Sequence, residues 1–339
     1  MNILGVGRAL PEQVITNEQL TQILDTNDEW IVSRTGIKQR HVMADQGLTS
    51  LAADAAKEAL QDAGLTAQDI DLILVATTMG DYVFPSVACL VQGEIGAACP
   101  ALDLHAACTG FIYALDAADS ALKAGKAKHV LVIGAEAITR LSDWTDRATC
   151  VLFGDGAGAV VVGAGDSLLS MHLNAQCNDR VLYHLADPGN SPYTDKGQEA
   201  YGGLKMAGQD VFRFAVGQSP RDLEAAADKA GLSIDDMDWV LLHQANRRIL
   251  DSVRNRLKLD PMKLPSNIHR TGNTSAASIP LLLWELYHSG MLLPGHLMAM
   301  SAFGAGLTSG ACVIRWTKEP PKDLVPAEDL LPQEEKANG

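Results

Sequence analysis

The sequence of 339 residues lacks any apolar run near the ~20 residues that a membrane-spanning helix needs. Its longest apolar stretches, such as residues 130–133, have the length of buried strands. The first residues, Met-Asn-Ile-Leu-Gly-Val-Gly, contain neither the basic region nor the apolar core of a secretory signal. These absences predict a cytoplasmic protein with no membrane insertion.

Basic residues and paired cysteines are also scarce. The chain has 27 Lys and Arg against 41 Asp and Glu, a net charge of −14, which argues against nucleic acid as a partner because phosphate backbones are repelled. No C-x-x-C pair occurs, so the sequence predicts neither a zinc site nor a disulfide framework. Most of the cysteines are expected to be small buried apolar residues: Cys89, Cys99, Cys108, Cys150, Cys177 and Cys312.

What the sequence does contain is an internal duplication. Residues 58–78 (EALQDAGLTAQDIDLILVATT) match residues 224–244 (EAAADKAGLSIDDMDWVLLHQ), and HVLVIGAEA at 129–137 matches HLMAMSAFG at 296–304. Both matches have an offset of 167 residues. Each copy predicts an Ala-rich helix that ends at a glycine, an acidic turn and an apolar strand.

The duplication predicts two α/β halves, residues 1–168 and 169–317, because strands alternate with helices in each copy. A second helix in each half ends at Gly125 or Gly290, and aligning these glycines pairs Cys108 with Asn273. Residues 318–339 are rich in proline and acidic residues and predict a disordered tail.

Cys108 is the first candidate for chemistry. It follows an apolar segment in His105-Ala-Ala-Cys-Thr-Gly-Phe111 and stands at a predicted helix start. A helix N-terminus lowers the pKa of a thiol and favours the nucleophilic thiolate, and small neighbours let a substrate approach the backbone. On these residues alone, a small core cysteine is an equally good interpretation.

His243 and Asn273 are the second and third candidates. His243 ends the strand 239–243, and the carboxyl ends of strands line ligand crevices in open α/β sheets. Asn273 lies in the loop RTGNTSAAS at 270–278, which leads into a helix. Taken singly, these residues are typical of a core histidine and a turn asparagine. Together with a cysteine they form the Cys–His–amide set used in acyl transfer.

Two further motifs bear on function. The spacing of the glycines at 154–158 does not fit a dinucleotide fingerprint, whereas the loop 303–306 (FGAG) could direct a backbone N–H at a bound oxygen. The helix after His243 carries a local charge of +4 in an acidic protein, which predicts either a solvated face or a surface for an anionic macromolecule. Its charged residues are Arg247, Arg248, Asp251, Arg254, Arg256 and Lys258.

Together these motifs resemble the β-ketoacyl-[acyl-carrier-protein] synthase III family, thiolase-fold enzymes that start bacterial type II fatty-acid synthesis. The resemblance runs from about residue 3 to residue 316. It is most specific at LPEQ (10–13), TNDEWIVSRTGI (26–37), the Cys108 segment, FGDGAGA (153–159), HQAN (243–246) and GNTSAAS (272–278).

The resemblance implies a five-layered αβαβα sandwich and a decarboxylative condensation. The substrates would be an acyl-CoA, most simply acetyl-CoA, and malonyl-acyl-carrier protein, with no metal or redox cofactor. The family's catalytic triad matches Cys108, His243 and Asn273. Its oxyanion-binding backbone N–H groups match Cys108 and Ala305.

Further positions match the family's binding residues. Those for CoA and substrate are Thr26, Trp30, Arg34, Arg147, Gly208, Phe212, Asn246 and Phe303. Those that would dock the carrier protein are Arg213, Arg247, Arg248, Arg254 and Lys258. The acyl pocket would include Ile138 and Phe84, and the apolar segment 79–98 would reach across the two-fold interface of a homodimer.

Two departures from the family pattern concern the acyl chain rather than the reaction. The last loop reads Gly304-Ala-Gly306 where three glycines are common, and residues 174–180 lack the expected Gly-rich loop. One alternative is therefore a related enzyme of secondary metabolism with a different or longer acyl donor. A non-catalytic partner subunit is the other, and the intact Cys, His and Asn argue against it.

Overall fold

The structure is a computed structural model that describes residues 1–186, 193, 202–326 and 329–332. Its strands are β1 (Asn2–Ala9), β2 (Val14–Thr16), β3 (Gln39–His41), β4 (Leu72–Ala76), β5 (Ala101–Leu104), β6 (His129–Glu136), β7 (Gly156–Gly163), β8 (Leu168–Asn178), β9 (Leu182–Tyr183), β10 (Lys205–Met206), β11 (Trp239–Leu242), β12 (Leu297–Gly304) and β13 (Gly306–Arg315). Its α-helices are α1 (Asn17–Leu20), α2 (Asp28–Thr35), α3 (Leu48–Ala63), α4 (Val87–Ile95), α5 (Gly110–Lys123), α6 (Gly208–Lys229), α7 (Arg247–Leu257), α8 (Ile268–Thr271) and α9 (Ser278–His288).

Two sheets repeat one topology. The strand order is β1-β7-β6-β4-β5 in the first sheet and β8-β13-β12-β11 in the second. In both, two antiparallel pairings are followed by a parallel one: β6 pairs with β4 and β12 with β11 in parallel. The predicted duplication is therefore visible in the strand pairing. Two small sheets, β2–β3 and β9–β10, complete the described strands.

The helices pack on the apolar faces of the two sheets and so build the layers of the fold. Helices α3 and α4 cover the outer face of the first sheet, α5 and α9 lie between the two sheets, and α6 and α7 cover the second. Strands β6 and β7 are buried along almost their whole length because helices cover both of their faces. The result is the predicted αβαβα sandwich with three apolar cores.

The helix ends follow the sequence signals. Helix α3 ends at Gly64 with a φ of +66°, a left-handed conformation that glycine adopts without strain. Aligning the glycines that end the two helices predicts that Cys108 and Asn273 occupy equivalent positions at the helix starts. The structure shows that this prediction is wrong by three residues. The turns preceding α5 and α9 align Ala107 with Ser275, 168 residues apart, because α9 is three residues shorter than α5.

The C-terminal segment also differs from its prediction. Among residues 329–332, Leu330 is only 1% exposed and packs into the central core, and its carbonyl accepts a hydrogen bond from the Ser266 N–H at 2.8 Å. Asp329 lies 2.7 Å from His269 and 3.1 Å from Arg270. Disorder is thus the wrong prediction for this stretch, since one leucine anchors it. Residues 327–328 and 333–339 of the predicted tail lie outside the described residues. Across the described ranges, no helix is long and apolar enough to cross a membrane.

Candidate active site

A single cavity of about 1340 Å³ brings the three predicted catalytic residues together. Cys108 comes from the turn before α5, His243 from the end of β11, and Asn273 from the loop before α9. The duplicated topology causes this meeting, because equivalent strand and helix ends of the two halves face each other. The other predicted residues that line the cavity are Trp30, Arg34, Ile138, Gly208, Phe212, Arg213, Asn246, Arg248, Phe303 and Ala305.

Close backbone packing fixes the position of Cys108. Ala107 has a positive φ of +45°, and the following turn, Ala107–Thr109, leads directly into α5. Gly304 lies against this turn so tightly that a Cβ atom on it would be 2.9 Å from the Cys108 nitrogen. Thr308 Oγ1 lies 3.3 Å from the Ala106 carbonyl oxygen and 3.0 Å from that of Ala305. The loop 304–308 and the Cys108 turn are therefore held together as one unit.

The thiol of Cys108 differs from its sequence-based expectation. Burial in the cavity raises its pKa to about 12, with a smaller opposing effect from the Ser275 hydroxyl and a further increase from the charge of Glu136. The prediction that the helix start lowers the thiol pKa is wrong for this structure. The Ser275 Oγ atom lies 3.3 Å from the sulfur.

Ser275 connects the sulfur to a buried carboxylate. Its Oγ lies 2.9 Å from Oε1 of Glu136, the last residue of β6. The other oxygen, Oε2, accepts hydrogen bonds from the Thr78 N–H at 3.1 Å and hydroxyl at 2.6 Å. Burial raises the pKa of Glu136 to about 7, against the effect of these hydrogen bonds, which lower it.

His243 is held as a neutral imidazole. It is 1% exposed, and burial lowers its pKa to about 3. Nδ1 lies 2.7 Å from Ser278 Oγ, and the ring packs edge-on against Phe303 with 5.4 Å between centroids. When the Ser278 hydroxyl donates to Nδ1, the proton of the ring stands on Nε2, which makes that nitrogen a hydrogen-bond donor.

Asn273 presents its amide nitrogen to the cavity. The backbone N–H of Asn273 donates to the Leu152 carbonyl at 2.8 Å, and the backbone carbonyl of Asn273 accepts from the Gly154 N–H at 3.1 Å. These bonds fix the backbone between the two halves. The side-chain Oδ1 accepts from the Ser275 N–H at 2.9 Å, so Nδ2 is the group left to donate to a bound molecule.

The residues predicted to bind CoA form two groups. Two guanidinium groups lie over the Trp30 ring, that of Arg34 at 5.4 Å and that of Arg147 at 5.2 Å from the ring centroid. Arg147 also hydrogen-bonds to the Asp25 carbonyl, and neither Arg147 nor Thr26 lines the cavity. Elsewhere along the cavity lining, Gly208 begins α6, and the Arg248 guanidinium lies 6.0 Å from the Phe212 ring.

The predicted basic helix α7 is partly neutralised. Asp251 lies 3.2 Å from Arg247 and 3.4 Å from Arg254, so these two arginines share one carboxylate rather than forming an open cationic face. Lys258 is the exposed residue at which the helix ends. Arg248 is exposed at the cavity, where Arg213 also lies. The structure therefore separates the cations at the cavity from those beside Asp251.

The predicted acyl-pocket residues are also separated. Ile138 is buried and lines the cavity, whereas Phe84 is 84% exposed and does not. Its neighbours Tyr82 and Val83 are exposed as well, at 62% and 98%. In a single chain, Phe84 therefore belongs to an exposed apolar loop.

Sequence reasoning missed four polar residues at this site: Thr78, Glu136, Ser275 and Ser278. Ser275 and Ser278 lie in the same Asn-Thr-Ser-Ala-Ala-Ser loop as Asn273. The motif that predicts Asn273 at the site therefore also contains both serines. Glu136 ends a strand whose interior is apolar, and a charged residue in such a position is rarely buried without a partner.

Comparison with known proteins points to one family. Residues 102–177 match the family model 3-oxoacyl-[acyl-carrier-protein (ACP)] synthase III, and residues 227–316 match the model of its C-terminal part. The β-ketoacyl-[acyl-carrier-protein] synthase III of Xanthomonas campestris is 47% identical over 319 residues, which cover 93% of this chain and 98% of that protein. The Microcystis aeruginosa protein of the same name is 48% identical over 93% of this chain and 97% of its own length.

Solved structures show the same architecture. The 3-oxoacyl-[acyl-carrier-protein] synthase III of Aquifex aeolicus superimposes with a TM-score of 0.87 at 43% identity and covers 93% of this chain and 99% of its own. The priming β-ketosynthase of the R1128 polyketide pathway has a TM-score of 0.88 at 33% identity and covers 94% and 97% of the two chains. By fold, motifs and full-length similarity, the chain belongs to the β-ketoacyl-[acyl-carrier-protein] synthase III family.

Proposed function

We propose that this chain condenses an acyl-CoA with malonyl-acyl-carrier protein and releases CO₂ and a 3-oxoacyl-carrier protein. The primer that we propose is acetyl-CoA, and the product starts type II fatty-acid synthesis. Cys108 is the nucleophile, and His243 and Asn273 act on the malonyl group. The observation that carries the proposal is the convergence of these three side chains in one cavity. The reaction needs no metal or redox cofactor, because the thiol carries the acyl group.

In the first half-reaction, the Cys108 sulfur attacks the thioester carbon of the acyl-CoA. A tetrahedral intermediate forms, and the CoA thiolate leaves when it collapses. The negative oxygen of the intermediate is held by the backbone N–H groups of Cys108 and Ala305. Tight contact of Gly304 with the Cys108 turn supports this assignment, since it keeps the two donors on one rigid unit.

In the second half-reaction, malonyl-carrier protein loses CO₂, and negative charge develops on its thioester oxygen. His243 Nε2 and Asn273 Nδ2 are the proposed donors to that oxygen. A neutral imidazole can fill the role, because its Nε2–H donates while Nδ1 accepts from the Ser278 hydroxyl. The resulting carbanion attacks the acyl-cysteine, the carbon–sulfur bond of Cys108 breaks, and the 3-oxoacyl product forms.

The experiment that tests this function is incubation with labelled acetyl-CoA followed by mass spectrometry of the Cys108 peptide. An acyl group on Cys108 that malonyl-carrier protein then removes as a 3-oxoacyl product is the expected result. Label on the exposed Cys177, or none at all, contradicts the proposal.

A second candidate function differs only in the acyl donor. Similarity to a priming ketosynthase of a polyketide pathway, together with the large cavity volume, favours testing longer donors. A panel of acyl-CoAs of increasing length measures this directly. Acylation that is fastest with acetyl-CoA supports the fatty-acid assignment, whereas a maximum at a longer or branched donor supports the alternative.

The remaining residues are proposed as binding determinants. Trp30 and Arg147 would hold the CoA adenine, with Thr26, Arg34, Gly208, Phe212, Asn246 and Phe303 along the rest of the molecule. Arg213 and Arg248 at the cavity would meet the acidic carrier protein first, and Arg247, Arg254 and Lys258 would extend that surface. Ile138 would contact the acyl chain.

We propose that the protein is a cytoplasmic homodimer. The exposed apolar loop of Tyr82, Val83 and Phe84 needs cover, and a second copy of the chain would supply it. Phe84 would then cap the acyl pocket of the partner subunit. Sedimentation at micromolar concentration should give a dimer for the wild type and more monomer for Phe84→Asp. A fully active wild-type monomer would contradict the proposal.

A further inference from the structure

Glu136 is a buried titratable group that the reaction just described does not use. It ends β6 with 0% exposure and reaches the catalytic cysteine through a single hydroxyl. We propose that Ser275 and Glu136 form a proton relay for Cys108, in which Ser275 touches the sulfur and Glu136 is the positioning residue that holds the proton. This inference rests on the proposed function, which makes Cys108 the nucleophile.

The direction of the hydrogen bonds supports the relay. The Ser275 hydroxyl has one proton and two neighbours, Glu136 Oε1 at 2.9 Å and Cys108 Sγ at 3.3 Å. A carboxylate only accepts, so while Cys108 is a thiol, Ser275 donates to Glu136 and its oxygen accepts the thiol proton. Once the sulfur is a thiolate, the same hydroxyl donates to it instead, and this contact is the one that lowers the thiol pKa. Thr78 donates twice to the second carboxylate oxygen, and the Ala276 N–H also donates. The donors around Glu136 therefore all point toward it.

The charge states of the site show why a relay is needed. Burial raises the thiol pKa to about 12, so at neutral pH the nucleophile must lose a proton during the reaction. His243 is a poor acceptor for that proton, since burial lowers its pKa to about 3. Burial raises the pKa of Glu136 to about 7, which places it close to the operating pH of a general base. Cys108 is the titratable group that faces Glu136; the other contacts are uncharged.

The relay balances over the two half-reactions. The Cys108 proton moves to Ser275 as the hydroxyl proton of Ser275 moves to Glu136, and the sulfur forms its bond to the acyl carbon. The bond between that carbon and the CoA sulfur breaks, and the CoA thiolate takes a proton from solvent. Condensation later breaks the acyl–Cys108 bond and leaves a thiolate. The proton on Glu136 then returns through Ser275 and restores the thiol.

Two variants interrupt the relay at different points. Glu136→Gln keeps the shape of the side chain but removes its basicity, and Ser275→Ala keeps the carboxylate but breaks the connection. The acylation rate of Cys108 by acetyl-CoA is measured by rapid quench and peptide mass spectrometry from pH 5.5 to 9.5. Since general-base assistance typically contributes about 10²–10⁴-fold, we expect each variant to be at least ~10²-fold slower at pH 7.

The pH profile separates a relay from a structural role. The wild-type rate should rise and level off near pH 7 as Glu136 ionises. In both variants it should instead rise about tenfold per pH unit without levelling off there, because only the small thiolate fraction reacts. Asp155→Asn is the matched control. Asp155 is equally buried and is bonded to Thr139 and to the Met43 N–H, but it does not line the cavity. Its profile should keep the inflection.

Alkylation of Cys108 by iodoacetamide, followed by the same peptide analysis, tests the relay without any acyl-CoA. An inflection near pH 7 that disappears in both Glu136→Gln and Ser275→Ala supports the relay even if acetyl-CoA never acylates the enzyme, in which case the proposed function fails. An inflection that persists in either folded variant, by acylation or by alkylation, overturns the relay and leaves the function intact.

Discussion

The two halves of the molecule share a strand order but place different chemistry at equivalent ends. In the N-terminal half, β6 ends at Glu136 and the turn before α5 presents Cys108. In the C-terminal half, β12 ends at Phe303 and Gly304, and the turn before α9 presents Ser275. Both turns begin with a residue of positive φ, Ala107 at +45° and Ser275 at +49°. The same backbone thus carries a thiol and a carboxylate in one half and hydroxyl, amide and imidazole groups in the other.

The comparison shows how the two halves of a duplicated fold can supply different groups to one reaction. The proposed nucleophile and its proposed base come from the first half, and the donors proposed for the enolate come from the second. Neither half contains a complete site, because the Ser275 hydroxyl of the second half connects the sulfur to the carboxylate of the first. The hydrogen bonds between Asn273 and residues 152–154 of the first half keep the two sets in register.

The largest expected effect is the loss of the nucleophile from the N-terminal turn. Cys108→Ala should reduce acyl-enzyme formation and condensation by more than about 10³-fold, because no other thiol lines the described cavity. Acylation is measured by intact-protein mass spectrometry, with Cys177→Ala as the exposed-cysteine control. Acyl transfer that persists in Cys108→Ala would show that the N-terminal half does not supply the nucleophile.

The next effect tests the role of the C-terminal half. His243→Ala and Asn273→Ala should each slow decarboxylation of malonyl-carrier protein by about 10²–10³-fold, since each removes one donor to the developing enolate. Acylation of Cys108 should fall less. The two steps are measured separately, as CO₂ release and as single-turnover acylation. Intact decarboxylation with blocked acylation in Asn273→Ala would reverse the division of roles between the halves.

A smaller effect concerns the stability of the buried carboxylate in the first half. Folding raises the pKa of Glu136 from 4.5 to about 7, so the folded state keeps a proton that the unfolded chain releases. Stability from this group is present below pH 4.5 and is lost as the pH rises to about 7. The unfolding free energy of Glu136→Gln relative to wild type should therefore increase by on the order of 3 kcal/mol between pH 4.5 and 8. Urea denaturation at both pH values checks this, and a difference independent of pH contradicts it.

The smallest effect concerns the basic surface of the second half. Arg248→Glu should raise the KM for malonyl-carrier protein roughly two- to tenfold at low salt, because exposed charges act mainly on the encounter rate. Arg254→Glu should have a smaller effect, because Asp251 already neutralises that arginine. Lys258→Glu should be intermediate and leave acetyl-CoA acylation unchanged.

Lys126→Glu is the matched control for this surface, since it makes the same charge change at the far end of α5. All effects should shrink as salt rises, because the Debye length falls from ~10 Å at 0.1 M to ~3 Å at 1 M. Equal KM values of Arg248→Glu and Lys126→Glu for malonyl-carrier protein at low salt would show that the cationic surface faces solvent and does not bind the carrier protein.

Sequence by itself determined the architecture and the residues proposed to react. A repeat at an offset of 167 residues, with glycines at the helix ends, was sufficient to predict two related α/β halves, because chain periodicity and helix termination are local properties. Cys108, His243 and Asn273 were equally visible, since each stands in a short motif at the end of a strand or the start of a helix.

Tertiary structure decided what those groups experience. The thiol pKa is raised rather than lowered, Arg247 and Arg254 share Asp251, and Leu330 anchors a segment whose composition predicts disorder. The partnership of Glu136 with Ser275 joins residues 139 positions apart. Burial and electrostatic contact depend on which distant segments meet, and the spacing of residues along the chain does not contain that information.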